Sequence, residues 1–408
     1  MSDVVRIARL GAQGDGIAEG EDLYVPFSLP GDTVRVRRFG SRAWPERVID
    51  PAPDRVTPPC PHFTRCGGCA LQHASGATVA TWKTDTLRTT LAARGLVGVE
   101  IRPIVTTPPG SRRRITVAGR RTKKGVQVGF HSRGDVTVVP VEACPVAEPA
   151  LVAVLDRLEE LVRKGASRKG ELRITLTLSP AGIDAAVTEA KDLSGPEMAL
   201  LAGTATRAGL ARLSWNGEVA VTISPPVQVF GRARVVPPPG GFLQPTLAGE
   251  HALLAAARDA VGPAARIADL FSGSGTFALA LADEAEILAL ECEGPAIEAL
   301  EAGWRGCPGL KTVRAIRRDL FNRPLRPAEM KGLDAAIMNP TRAGARAQAE
   351  QIAAGGPQRI AYVSCNPATF ARDAQLLVEG GYALDWVQPV DQFRWSPHLE
   401  LVGAFSRR

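Results

Sequence analysis

Asp269-Leu-Phe-Ser-Gly-Ser-Gly-Thr-Phe277 decides the fold: the end of an apolar strand, Arg266–Leu270, runs through two glycines into a helix predicted over 276–283. Gly273 and Gly275 let the backbone turn sharply and let a ligand come close to it. On either side the same grammar repeats. An Ala-rich helix (247–260) precedes the strand, and strand Ile287–Leu290 and helix 295–303 follow it. Ala335–Met338 and Arg359–Val363 continue the series. Helices alternating with short apolar strands predict an α/β domain with a doubly wound, Rossmann-like parallel sheet.

Ligands of such sheets bind beyond the carboxyl ends of the strands. A glycine-rich turn alone is compatible with a dinucleotide or with no ligand, and the third glycine of the dinucleotide fingerprint is missing here. Glu291 ends the next strand, about twenty residues on, where a ribose-binding carboxylate belongs. Asp269, the turn and Glu291 together suit adenosylmethionine, which has a ribose and no phosphates.

Two later strands end in polar tetrapeptides, Asn339-Pro-Thr-Arg342 and Ser364-Cys-Asn-Pro367, which should face the same crevice. Asn339 and Asn366 need hydrogen-bond partners there. A lone cysteine is commonly a buried, inert thiol. The polar setting of Cys365 instead marks it as a candidate nucleophile, whereas Cys292 and Cys307 lack that setting. A nucleophilic thiol requires a separate general base. Glu400, in His398-Leu-Glu400 before the final strand Leu401–Phe405, is the chosen candidate, with His398 and Asp391 as competitors.

The N-terminal half has a different texture. Val4–Leu10, Asp22–Val25 and Thr33–Phe39 are strand-like and punctuated by glycines. They suggest a small OB-like β-barrel, which could bind nucleic acid or simply pack. Cys60-x5-Cys66-Gly-Gly-Cys69 puts three thiols in one loop, followed by a helix at 77–94. Cys144 is the natural fourth ligand, and by spacing zinc suits the set nearly as well as an iron–sulfur cluster. From 100 to about 235 the chain is strand-rich, with a helix at 148–164. A stripe from Ser111-Arg-Arg-Arg114 through Arg120, Arg121, Lys123 and Lys124 carries seven basic residues and no acid. It reads as a solvated hairpin or as a phosphate-binding surface.

The bulk numbers set bounds on these readings. The 408 residues carry a formal charge of +7, with 45% apolar and 22% charged residues. That is enough chain for several domains, and its basic balance is compatible with a polyanionic partner. No apolar run approaches a membrane span, and Met1-Ser2-Asp3 opens no signal peptide, so the expected location is the cytoplasm with no membrane role. Seven cysteines, three of them crowded, suggest metal binding more than disulfides in a reducing compartment.

Tyr362-Val-Ser-Cys-Asn-Pro-Ala-Thr-Phe-Ala-Arg-Asp373 resembles the nucleophile signature of the RNA uracil-5-methyltransferases, the group with an N-terminal TRAM barrel and an iron–sulfur cluster. Asp269–Phe277 resembles that family's adenosylmethionine motif, and the likeness extends over essentially the whole chain. It implies four parts: a TRAM-like barrel (1–52), a cysteine loop and helix (56–92), a β-rich central RNA-binding domain supplying Cys144 (93–238), and a Rossmann-like methyltransferase domain (239–408). It implies Cys365 as nucleophile and Glu400 as base. It places Gln244, Phe271, Thr276, Glu291, Asp319 and Asn339 at S-adenosylmethionine positions, and a [4Fe–4S] cluster on Cys60, Cys66, Cys69 and Cys144, with Leu71-Gln-His73 behind them. The expected reaction is RNA methylation to 5-methyluridine, on a single-stranded or flipped-out uridine of 23S rRNA, with no obligate protein partner. The alternatives are a tRNA substrate and a catalytically impaired RNA-binding member. The chain departs from the family in two places. Asn339-Pro-Thr-Arg342 replaces the usual Asp-Pro-Pro-Arg, putting an uncharged amide where a carboxylate is common. Phe393-Arg-Trp-Ser-Pro-His398 replaces Phe-Pro-x-Thr-x-His.

Overall fold

In the computed structural model, which describes residues 2–168 and 170–407, apolar alternation closes the first fifty residues into a barrel. Its strands run in the order Ser2–Leu10, Gly16–Ala18, Tyr24–Val25, Arg42–Asp50 and Thr33–Phe39, and the last pairs back to the first. Val5, Ile7, Val25, Val34 and Val36 point inward, while the arginines between them face solvent. Met1, Lys169 and Arg408, which the sequence assigns to the barrel, central and methyltransferase parts, lie outside the described residues.

The central part is a seven-stranded sheet in the order Val138–Pro140, Gly125–His131, Arg114–Thr122, Glu171–Ser179, Gly182–Thr188, Leu210–Trp215 and Glu218–Thr222. Helix Gly195–Ala208 and the segment 149–165 cover one face, burying Leu158, Leu161 and Leu201 against Leu172, Ile174 and Leu213. The single helix expected at 148–164 is broken. A 3-10 turn, Leu155–Leu158, separates two short helices. Side chains three apart eclipse in such a turn, which lets Leu155 and Leu158 both bury in this core.

The C-terminal part is a nine-stranded sheet. Arg266–Leu270 lies between Glu286–Glu291 and Ala335–Met338, with parallel pairing, and Arg359–Ser364 follows. Glu400–Arg407 then inserts antiparallel between Arg359–Ser364 and Tyr382–Asp391. Val313–Arg317 completes five parallel strands beyond Glu286–Glu291, and the carboxyl end of Arg359–Ser364 pairs with the start of the strand that bears Glu400. The packing also crosses the sequence boundaries expected at 92 and 93. Helix Gly76–Ala92 buries Leu87 and Leu91 in the methyltransferase core, and Glu100–Ile101 and Val105–Thr106 pair with Tyr382–Asp391. These segments belong physically to the C-terminal sheet, because their apolar residues have their partners there.

Candidate active site

The glycine turn is built by backbone donors around two carboxylates. The Ala278 N–H donates to Asp269 Oδ2 at 2.8 Å, while Oδ1 is buried with no partner among the described residues. Burial, helped by the charge of Glu291, pushes Asp269 up to about 7. Glu291 accepts the Gly273 N–H at 3.0 Å on one oxygen and the N–H groups of Cys292 and Glu293 at 2.7 and 3.0 Å on the other. Gly275 has φ +96°, and a Cβ there would stand 2.9 Å from Leu300. Phe271 adopts φ +64°, a strained region for a bulky residue, and its ring lies 5.3 Å from that of Phe321. Asp319 accepts the Phe321 N–H at 2.9 Å and the Asn322 amide at 2.6 Å. These two bonds, the Asn322 one first, hold its carboxyl below the usual range. Thr276 stands half-buried in the same turn.

Cys365, Glu400, Asn339 and Arg342 line one cavity of about 560 Å³, together with Phe242 and Phe393. The two tetrapeptides are tied to each other. Asn366 caps the helix Pro367–Glu379 by accepting the Ala368 N–H at 3.1 Å, and its amide donates to the Arg342 carbonyl at 3.2 Å. Below them, Asp373 accepts the Tyr362 hydroxyl at 2.6 Å and the Ala345 N–H at 2.7 Å. Burial pushes Cys365 up to about 11, with the Glu400 charge adding to the rise and Arg342 opposing it. Complete burial pushes Glu400 up to about 8, and the facing Gln392 amide opposes the rise.

The two competitors for the base role are differently placed. Asp391 is held by Lys83 Nζ at 2.6 Å. His398 lies outside the lining of the Cys365 cavity and beside a second one, with Ser396 and Pro397. Gln392 and Arg342 were assigned no role from sequence, and both bear on the pair. Gln392 Nε2 donates to Gln244 Oε1 at 2.6 Å, which links the expected cofactor residue Gln244 to the side chain facing Glu400. Of the six expected cofactor residues, Asn339 lines the Cys365 cavity; Gln244, Phe271, Thr276, Glu291 and Asp319 stand outside its lining.

The four expected ligands Cys60, Cys66, Cys69 and Cys144 line another wall of the same cavity. Gly67 passes so close to the 131–133 backbone that a Cβ would meet the His131 carbonyl at 3.0 Å. The Gly68 N–H donates to Cys66 Sγ at 3.4 Å, and Cys60 N–H donates to Gln72 at 3.1 Å. Burial first, then the neighbouring thiols, push Cys69 up to about 12 against a contact from Gln72. Cys60 and Cys144 likewise add to the burial that raises Cys66, and a crowded all-thiol set of this kind suits a cationic centre, which would draw protons off. Among the described residues, no three His, Cys, Asp or Glu side chains gather tightly enough to hold a single metal ion.

The basic stripe does not survive as one surface. Arg113 is buried, pairs with Glu250 at 2.5 Å and donates to the Gln244 carbonyl at 3.1 Å. Arg114 donates to the Gly240 carbonyl at 3.0 Å. Arg112 lies over the Phe393 ring at 5.3 Å and lines the Cys365 cavity. Only the hairpin tip, with Arg121, Lys123 and Lys124 near Arg163, remains a solvated basic surface. The correction follows from packing: the triple arginine opens an inner strand that abuts the C-terminal part.

No protein-family model matches the chain. Relatives match it end to end. A protein of Caulobacter vibrioides named as an RNA methyltransferase is 41% identical, over 98% of this chain and 99% of its own. One of Brucella suis, also named as an RNA methyltransferase, is 39% identical, over 99% and 97%. The 23S rRNA (uracil(1939)-C(5))-methyltransferase of Alkalilimnicola ehrlichii is 32% identical, over 99% and 96%. Among solved structures, the tRNA (uracil-54, C5)-methyltransferase of Pyrococcus abyssi, in complex with S-adenosyl-L-homocysteine, shares the fold. Its TM-score is 0.77 at 24% identity, over 98% of this chain and 99% of that one. No helix among the described residues is long and apolar enough to cross a membrane.

Proposed function

This chain belongs to the RNA uracil-C5-methyltransferase family, and from that premise we propose that it methylates carbon 5 of a uridine in 23S ribosomal RNA, with Cys365 as nucleophile and Glu400 as base. The observation that carries the assignment of roles is the meeting of Cys365 and Glu400 in one cavity, where the charge of one is felt by the other.

The roles follow from the chemistry of uracil. Carbon 5 is too weak a nucleophile to take a methyl group unaided. Cys365 loses its proton to solvent and adds through Sγ as a thiolate to carbon 6, and the electrons of the carbon 5–carbon 6 double bond move to the carbonyl, giving an enolate. Adenosylmethionine supplies an electrophilic methyl group when bound. Gln244, Phe271, Thr276, Glu291, Asp319 and Asn339 are the residues we assign to holding it. Carbon 5 takes the methyl as the sulfonium–methyl bond breaks, which would leave S-adenosylhomocysteine, and Glu400 then removes the carbon 5 proton. The double bond reforms and the Sγ–carbon 6 bond breaks, freeing Cys365. The target base must be unpaired or flipped out to reach a half-buried thiol.

Cys60, Cys66, Cys69 and Cys144 would hold a [4Fe–4S] cluster, with a role in folding and in positioning RNA. The all-thiol donor set and the close passage of Gly67 support this reading. The Alkalilimnicola relative supports a ribosomal substrate. The basic hairpin tip supports a phosphate contact.

The test is transfer from labelled adenosylmethionine to total RNA from cells lacking the gene, with the labelled nucleotide mapped. Label at carbon 5 of a 23S uridine is expected, and Cys365→Ala should abolish it. Label in tRNA would replace the substrate assignment, and no transfer to any RNA would overturn the enzyme reading.

A further inference from the structure

Lys83 has no part in the chemistry above, yet it is one of the most thoroughly enclosed side chains in the protein, at 1% exposure. It stands on helix Gly76–Ala92, immediately after the cysteine loop. Its Nζ donates to Asp391 Oδ1 at 2.6 Å, to the His398 carbonyl at 2.8 Å and to the Phe393 carbonyl at 3.3 Å. An ammonium has three protons to donate, and all three are used. Two of the acceptors are main-chain oxygens of the segment leading from Asp391 to Glu400. A buried ion pair is a poor source of stability compared with apolar packing of the same volume. What it supplies here is a defined geometry for a stretch that has no regular structure.

A second tether comes from the cysteine loop. The N–H groups of Ala70 and Leu71, directly after Cys69, both donate to the Trp395 carbonyl, at 2.8 and 3.0 Å. Trp395 itself is held at φ +59°, a conformation that persists only where surroundings enforce it. Cys365 lies beyond a different element, whose end pairs with Leu401 and receives no bond from Lys83. It follows strand Arg359–Ser364 and is steadied by Asn366 and Asp373.

We propose that Lys83 is a positioning residue: together with the Ala70–Leu71 backbone it fixes the segment before Glu400, so that the carboxyl stands at the carbon 5 proton of the Cys365 adduct. The proposal rests on Glu400 being the base. Its consequence is a selective defect. Loss of Lys83 leaves adduct formation at Cys365 intact and slows proton removal, because a misplacement of about 1 Å costs on the order of 100-fold.

Single-turnover reactions on RNA tritiated at carbon 5 of the target uridine separate the two steps. Covalent RNA–protein adduct on denaturing gels reads the first step, and tritium release reads the second. Lys83→Met should form adduct at close to the wild-type rate, release tritium on the order of 100-fold more slowly and accumulate methylated adduct. Lys83→Arg, which keeps charge and donors, should recover most of the release. Because Lys83→Met strands the Asp391 charge, the double variant Lys83→Met/Asp391→Asn provides the same test with charge balance kept. Glu400→Gln is run alongside and should trap adduct. If Glu400→Gln releases tritium like wild type, the base assignment fails and the proposal falls with it. If Glu400→Gln traps adduct while both lysine variants release tritium normally, or lose both steps equally, Lys83 does not position the base.

Discussion

The charge of Glu400 adds to burial in pushing the thiol of Cys365 up to about 11, so the two groups of the cavity hinder each other's ionisation. Glu400, itself pushed up to about 8, is largely neutral at pH 7 in the free protein. A neutral Glu400 does not oppose formation of the thiolate, whereas removal of the carbon 5 proton needs the carboxylate. In single-turnover reactions from pH 6 to 9.5, tritium release from adduct already formed should therefore rise with pH, with its midpoint near 8. In Glu400→Gln that limb should vanish. A release rate independent of pH across this range in the wild type would contradict the assignment.

The same shift bears on stability, with a definite sign. An unfolded glutamate titrates near 4.5, and in the fold Glu400 titrates near 8. Between those values the folded state holds a proton that the unfolded state has lost. Stability from this group is therefore present below about pH 4.5 and declines as pH rises through the window. The contribution is at most about 1.4 kcal/mol per pH unit. Urea denaturation at pH 5.5 and 7.5 should show a smaller loss on raising the pH in Glu400→Gln than in the wild type. Asp269, raised to about 7, adds a slope of the same sign that the variant retains.

The parallel sheet and the strand ends that form the crevice were legible in sequence because their signals are local. A glycine turn after an apolar strand, and polar tetrapeptides after two more, identify themselves within a dozen residues. Arg113 and Lys83 were not legible, for one physical reason. Arg113 looks like part of a solvated stripe until Glu250, 137 positions away, is seen beside it. Lys83 looks like a surface lysine on a polar helix until Asp391, 308 positions away, appears opposite it. A charge announces itself in sequence; its partner does not. Gln392 was missed for a related reason, since an amide acquires meaning only through the buried groups it joins, here Gln244 and Glu400.

Asp373 closes the signature around Cys365. Its carboxyl is fully buried and takes bonds from Tyr362, Ala345 and Arg372. Asp373→Ala leaves the Tyr362 hydroxyl and the Ala345 N–H buried without that acceptor, and should cost about 3–5 kcal/mol in urea denaturation. Asp373→Asn keeps the shape and one acceptor and should cost less. Because Ala345 ends the loop that begins at Asn339, the asparagine variant should lower kcat more than it raises KM. A stability unchanged by Asp373→Ala would show that the loop does not depend on this carboxyl.

The cysteine wall makes a compositional prediction. Protein purified without oxygen should be brown and contain about four iron and four sulfide per chain. Cys144 comes from the central domain and the other three thiols from one loop, so Cys144→Ser should lose iron as fully as Cys69→Ser. Zinc in place of iron would overturn the cluster, and iron retained in Cys144→Ser would remove Cys144 from the ligand set. The loop should also respond mechanically. Ala70 and Leu71 follow Cys69 and hold the Trp395 carbonyl. Loss of the metal should therefore speed hydrogen exchange at Ala70 and Leu71 before it does so in the strand Arg359–Ser364, whose ladder bonds do not involve the loop. Equal exchange in iron-loaded and iron-free protein at those two residues would mean that the loop holds its shape without the cluster.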